Sequence, residues 1–128
     1  MIKIRTAGII HSDWLRQDVL VFDDHAKAVA ELGKTGIESD RVPCGSAGAG
    51  WAEHEDGSGL FWMILPDGCN TPAPVVHECV HVADYLCEHA GIPINADCVE
   101  VRCYLTEWLF DEVMKVLAPK AKKERRKK

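Results

Sequence analysis

The sequence predicts an α+β fold, in which a short mixed sheet with an edge hairpin packs on one helix and on a long C-terminal helix. Three observations predict it. An apolar run at residues 19–22 is followed at once by a helical pattern, two extended runs flank an Asp-Gly step at 56–57, and two periodic helical segments complete the chain. A length of 128 residues with 47% hydrophobic and 27% charged residues suits one globular domain.

The first third of the chain predicts two strands and a helix. Residues 2–5 alternate weakly and are compatible with a short first strand, whereas Val19-Leu20-Val21-Phe22 is a stronger strand pattern. The Asp23-Asp24 pair that follows predicts the N-terminal cap of a helix running to about Leu32, with Gly33 as its stop.

The middle of the chain predicts a loop and a hairpin. Residues 42–50 are rich in Gly and Ala and are expected to form a connecting loop or flap. Extended runs at 51–55 and 60–65 then flank Asp56-Gly57, a strong turn signal. The second run is apolar on both faces, which predicts either burial on both sides or a position beside a binding cleft.

The central helix is predicted over Val75–Ala90 and carries the motif His77-Glu78-Cys79-Val80-His81. Residues four apart lie one turn above each other, so His77 and His81 can bring two imidazoles to one metal. Glu78 lies about 100° round the helix, beside an open coordination position. This is the H-E-x-x-H arrangement, in which two histidines bind zinc and the glutamate serves as general base for a water.

The polar stripe of this helix continues with Asp84 and Glu88 and contains no Lys or Arg. Asp84 lies seven residues from His77, about 10.5 Å along the axis, so its short side chain cannot share one ion with both histidines. We predict Asp84 as an acceptor for an imidazole N–H instead. A catalytic zinc needs three protein ligands, so the third must come from another helix.

A second long helix is predicted over Val99–Leu117, after a break at Gly91 and a cap at Asn95 or Asp97. Glu100 lies in its first turn. Two interpretations of Glu100 stay open from the residues alone: an acid favoured by the helix dipole, or a metal ligand. The nearby H-E-x-x-H motif favours the ligand.

These residues resemble zincin metallopeptidases of the glutamate-ligand (gluzincin) type, and more narrowly the small minigluzincins, which include metallopeptidases encoded by phages and prophages. The resemblance lies within residues 60–117 and is carried by V-V-H-E-C-V-H-V-A-D-Y-L-C-E and V-E-V-R-C-Y-L. It implies a single zincin-like domain over residues 1–118. It further implies Zn²⁺ held by His77, His81 and Glu100, with Glu78 as the catalytic base.

The resemblance also implies a peptide or protein substrate that pairs along an edge strand at 60–65. Tyr104 joins Asp84 as an expected supporting residue near the metal. The family often has a small Ala three residues after the ligand Glu, where this chain has Cys103, whose thiol could compete for the metal. The residues expected to form the substrate-binding edge are Phe61, Trp62, Met63 and Ile64.

The expected reaction is hydrolysis of peptide bonds, in which Glu78 takes a proton from the attacking water and passes it to the leaving amine. The donor that stabilises the oxyanion stays open among Tyr85, Tyr104, His54 and His89. The alternative is a non-catalytic zinc-binding protein on the same fold, with a phage assembly or regulatory role.

The charge is unevenly distributed along the chain. Residues 120–128 hold seven Lys or Arg and one Glu, whereas the rest holds eight basic and nineteen acidic residues, which together make the net charge of −5. We interpret residues 119–128 as a basic, disordered tail that aids solubility, in preference to a nucleic-acid contact. The acidic body disfavours a broad nucleic-acid-binding surface.

The six cysteines form no C-x-x-C pair and are expected to be free thiols in a reducing compartment. No apolar run approaches 18 residues, so no membrane partner is expected, and the N-terminus shows no secretory signal. The predicted location is therefore the cytoplasm, which is that of a bacterial host if the protein is phage-encoded.

Overall fold

The architecture is a four-stranded mixed sheet with helices on both faces, which confirms the predicted α+β class. The computed structural model describes residues 4–42 and 46–126, with side chains described as far as residue 118. In chain order the elements are β1 (Gly8–Ser12), β2 (Gln17–Phe22), α1 (His25–Gly33), β3 (Gly48–Glu53), β4 (Gly59–Ile64), α2 (Pro72–Ala90) and α3 (Val99–Arg126).

The strands lie in the order β1-β2-β4-β3. β1 pairs with β2 and β3 with β4 in antiparallel fashion, whereas β2 and β4 are parallel. The β3–β4 hairpin turns at the predicted Asp-Gly step, where Gly57 adopts a φ of 88° that a side chain would oppose. The predicted edge hairpin is therefore confirmed, with β3 as its outer strand.

Strand β4 is buried on both faces, which explains its uninterrupted apolar sequence. Phe61 and Met63 face the core that α2 and α3 cover, whereas Trp62 and Ile64 face the core that α1 covers. Each of these four side chains is at most 1% exposed. A strand that pairs on both edges and packs on both faces has no surface left for a ligand.

Helix α1 follows the predicted caps. The Asp24 carboxylate accepts a hydrogen bond from the Lys27 backbone N–H at 2.9 Å, which satisfies one of the free donors of the first turn. Ala28 and Leu32 are fully buried against Phe22 and Trp62. The helix ends at Gly33, as predicted.

Helices α2 and α3 pack side by side on the other face of the sheet. Helix α2 ends at Ala90, and Gly91, with a φ of 75°, forms its left-handed C-cap at the predicted break. Helix α3 buries one side chain per turn in the shared core. Within the described residues no helix is both long and apolar enough to cross a membrane. The buried row of α3 is Leu105, Leu109, Val113 and Leu117.

Three predicted boundaries are wrong. Ile4 and Arg5 are not in a strand, and the first strand is β1, which pairs with β2; residues 1–3 lie outside the described residues. The predicted loop at 42–50 is too long, because residues 48–50 pair with β4, while residues 43–45 are not described. Helix α3 continues past its predicted end at Leu117 to Arg126. The disorder predicted for residues 119–128 stays a prediction.

The close approach of β3 to Trp62 yields a stability prediction. A Cβ at Gly50 would lie 2.5 Å from Trp62 Cζ2, and the Trp62 ring is buried between the sheet and α1. Gly50→Ala is therefore expected to lower the free energy of unfolding by about 1–3 kcal/mol, measured by urea denaturation. Gly33→Ala is the matched control, since a Cβ there meets nothing within 4 Å. Equal stability of the two variants would contradict the assigned packing.

Candidate metal centre

His77 and His81 converge on the exposed face of α2. Their Nε2 atoms lie 3.3 Å apart, and their rings meet edge to face with centroids 5.0 Å apart. Two nitrogens bound to one zinc at about 2.0–2.1 Å with a tetrahedral angle are about 3.3–3.4 Å apart. The spacing of this pair therefore fits two ligands of one zinc ion.

Glu78 points to the inner side of the same turn and is only 5% exposed. Burial raises the pKa of its carboxyl, while the charges of His81 and His77 act in the opposite direction. No hydrogen bond to its carboxylate occurs among the described residues. A carboxylate beside two imidazoles, without a structural partner, can accept a proton from a water held there.

The expected third ligand is not in place beside the histidines. Glu100 lies in the first turn of α3, as predicted, and its side chain is exposed. Among residues 4–42 and 46–118, no three His, Cys, Asp or Glu side chains are grouped so as to hold a metal ion. The assignment of Glu100 as a ligand therefore stays a prediction.

Asp84 has a different partner from the predicted one. Its Oδ1 accepts a hydrogen bond from Arg102 Nε at 2.7 Å, and both side chains are partly buried. This bond raises the pKa of the Arg102 guanidinium. Asp84 therefore joins α2 to α3 instead of accepting from an imidazole. The position of Arg102 across the helix pair could not be read from the spacing of either helix.

The two tyrosines are separated by the fold. The Tyr85 ring stacks on His81 with centroids 6.2 Å apart and an interplanar angle of 16°. Burial, followed by the charges of Glu78, Asp84 and Glu88, raises the pKa of the Tyr85 phenol and keeps it a hydrogen-bond donor. Tyr104 is 67% exposed and lines a groove with Trp14 and Trp108 whose lining includes neither His77 nor His81.

The side of α2 that carries Glu78 faces strand β3. His89 packs edge to face on both Trp51 and Phe61, with centroid distances of 5.7 and 5.5 Å. Its Nδ1 is buried without a hydrogen-bond partner among the described residues and lies 4.0 Å from Glu53 Oε1. His89 therefore anchors the helix to the hairpin. His54 lies in the exposed hairpin turn.

The predicted substrate-binding edge is wrong. Residues 61–64 pair with β2 on one side and with β3 on the other, so their backbone groups are already used. The free edge beside α2 belongs to β3, which pairs only with β4 among the described residues. The Trp51 carbonyl accepts a hydrogen bond from Arg41 Nη2 at 3.0 Å. No local sequence pattern predicts this contact, because Arg41 and Trp51 lie ten residues apart in the chain.

The described cysteines are all free, as predicted, while Cys44 lies outside the described residues. Burial raises the pKa of the Cys79 thiol to about 12, so the cysteine inside the motif is a core residue and not a thiolate ligand. Cys103 is exposed in a groove of about 420 Å³ between α2 and α3, beside Val80 and Asp84.

Comparison with known proteins adds no relative to this picture: no family model, no curated protein and no solved structure matches the chain.

Proposed function

We propose that the protein is a zinc-dependent metallopeptidase that hydrolyses peptide bonds. The observation that carries the proposal is the pair of Nε2 atoms of His77 and His81, 3.3 Å apart, with the buried Glu78 carboxylate on the adjacent position of the helix. The spacing matches two zinc ligands, and the carboxylate stands where a general base is needed. The resemblance of residues 60–117 to gluzincins supports the same assignment.

The chemistry divides between the metal and the side chains. Zinc, when bound, supplies a Lewis acid that polarises a carbonyl and acidifies water. Glu78 accepts a proton from the attacking water and donates it to the leaving amine. Its burial supports this role, because a carboxylate in a poorly solvated site is a stronger base towards a nearby water.

Glu100 is the proposed third ligand. Its side chain is exposed in the first turn of α3 and forms no hydrogen bond among the described residues, so it is free to change rotamer. Glu107, two turns further along the helix, lines the groove between α2 and α3 and is a competing carboxylate of the same type.

Substitutions test the ligand set by zinc affinity alone. His77→Ala, His81→Ala and Glu100→Gln are each expected to weaken zinc binding at least about tenfold, because each removes one ligand. Glu107→Gln, the matched control, should bind zinc like the wild type. The affinity is measured by competition with a chromophoric chelator. If Glu107→Gln weakens binding and Glu100→Gln does not, the third ligand is Glu107.

A peptide substrate is proposed to pair with the free edge of β3 instead of with β4. Strand addition uses unpaired backbone groups, and β3 is the edge strand against which α2 packs through His89 and Trp51. The Arg41 guanidinium that holds the Trp51 carbonyl would have to exchange this bond for one to the substrate.

The proposed oxyanion donor is Tyr85. Tyr85 and Glu78 lie two turns apart on the same face of α2, and the Tyr85 ring stacks on His81, which lies between them in the chain. Burial, and after it the charge of Glu78, raises the pKa of the Tyr85 phenol, so the hydroxyl keeps its proton. The other candidates are occupied elsewhere, since His89 is enclosed by two aromatic rings and Tyr104 faces a separate groove.

The proposed compartment is the cytoplasm, and a phage origin rests on the resemblance alone. The free thiols of the five described cysteines support a reducing environment.

Glu78→Gln tests catalysis separately from metal binding. The variant is expected to retain zinc and to lose peptidase activity on a denatured protein substrate by about 10²–10⁴-fold, because the amide cannot accept the proton. Glu88→Gln, on the exposed face of the same helix, is the matched control and should keep full activity. A wild-type protein that hydrolyses no peptide, yet unfolds when zinc is removed, would instead support the non-catalytic zinc-binding alternative.

Tyr85→Phe tests the proposed oxyanion donor. We expect kcat to fall by about 10²–10³-fold with little change in KM or zinc affinity, because the hydroxyl acts only on the charge that develops during the reaction. Steady-state kinetics and zinc titration provide the readouts. Tyr104→Phe, the control, removes a tyrosine hydroxyl from the groove that Trp14 and Trp108 line, and it is expected to lower kcat far less. An active Tyr85→Phe variant with unchanged kcat would exclude Tyr85 from this role.

A further inference from the structure

A groove of about 550 Å³ lies between the β1–β2 turn and the first turns of α3. Its walls include the rings of Trp14, Tyr104 and Trp108, of which the first two are 66% and 67% exposed. Trp and Tyr are enriched at the centres of binding interfaces, where their rings offer area at low entropic cost. None of His77, His81 and Glu78 lines this groove.

Negative charge borders this groove. Asp13 is a fully exposed lining residue whose Oδ1 lies 3.1 Å from His11 Nε2. The other nitrogen of His11, Nδ1, lies 2.6 Å from Asp18 Oδ1. None of the described lining residues is Lys or Arg. The Asp13 carboxylate therefore lines the groove, and the Asp18 carboxylate contacts the lining residue His11.

His11 lines the groove and contacts both carboxylates. The hydrogen bond to Asp18 is the main cause that raises the pKa of the imidazole; burial opposes it, and the charges of Asp18 and Asp13 reinforce it. Asp13 retains free acceptor positions that point to solvent.

We propose that this groove binds an arginine side chain carried by a peptide segment of a partner protein. A guanidinium can lie flat on an aromatic ring while its edge donates hydrogen bonds to a carboxylate. The groove offers the Trp14 ring and, at the adjacent residue, the Asp13 carboxylate. A lysine ammonium would use the carboxylate but not the planar stacking. The volume exceeds that of one side chain, so apolar residues beside the arginine enter as well.

The test is a titration of the full chain with the peptide acetyl-Leu-Arg-Leu-amide, followed by calorimetry and NMR at low ionic strength, where surface charges are least screened. Saturable binding of this peptide is expected. The same peptide with citrulline in place of arginine is expected to bind at least tenfold more weakly, because citrulline has the same shape but no charge. The lysine peptide is expected to bind a few-fold more weakly than the arginine peptide.

Two variants locate the binding. Trp14→Ala and Asp13→Asn are each expected to weaken binding of the arginine peptide several-fold, and both change exposed side chains that the core does not need. Ile94→Ala is the matched control, because Ile94 is 52% exposed at a different place. Absence of binding, or equal binding of the citrulline peptide, overturns the proposal. It is also overturned if the wild type self-associates without peptide and Trp14→Ala abolishes that association, because a second copy then covers the groove.

Discussion

The burial of strand β4 on both faces is the constraint on which the remaining structure depends. Its four central side chains alternate between two cores, so helices must cover the sheet on both sides. Helix α1 covers Trp62 and Ile64, while α2 and α3 cover Phe61 and Met63. Because β4 is also paired on both edges, the exposed backbone of the hairpin is left to β3.

Because helix α2 must cover one face of β4, its different sides have different surroundings. Its apolar sector is held in the core, which leaves His77 and His81 on the opposite, exposed side. Glu78, Tyr85 and His89 lie within about 40° of each other around the helix and face the hairpin, whereas Asp84 faces α3 and pairs with Arg102. One helix therefore supplies the histidine pair, the candidate base and the attachments to two neighbouring elements.

Helix α3 contributes to two separate surfaces. The side that faces α2 forms a groove with Val80 and Asp84 close to the histidine pair, and the side that faces the β1–β2 turn forms the aromatic groove with Trp14. The buried row that includes Leu109 holds both sides in place.

Local patterns sufficed for the elements and for the pair of histidines, because helix periodicity, Asp-Gly turns and i, i+4 spacing act over a few residues. The α+β class, the caps of α1 and α2, and the convergence of His77 and His81 were determined in this way. Strand order, the partner of Asp84 and the separation of Tyr85 from Tyr104 were decided only by the tertiary structure. They depend on contacts between residues far apart in the chain, which no local spacing encodes.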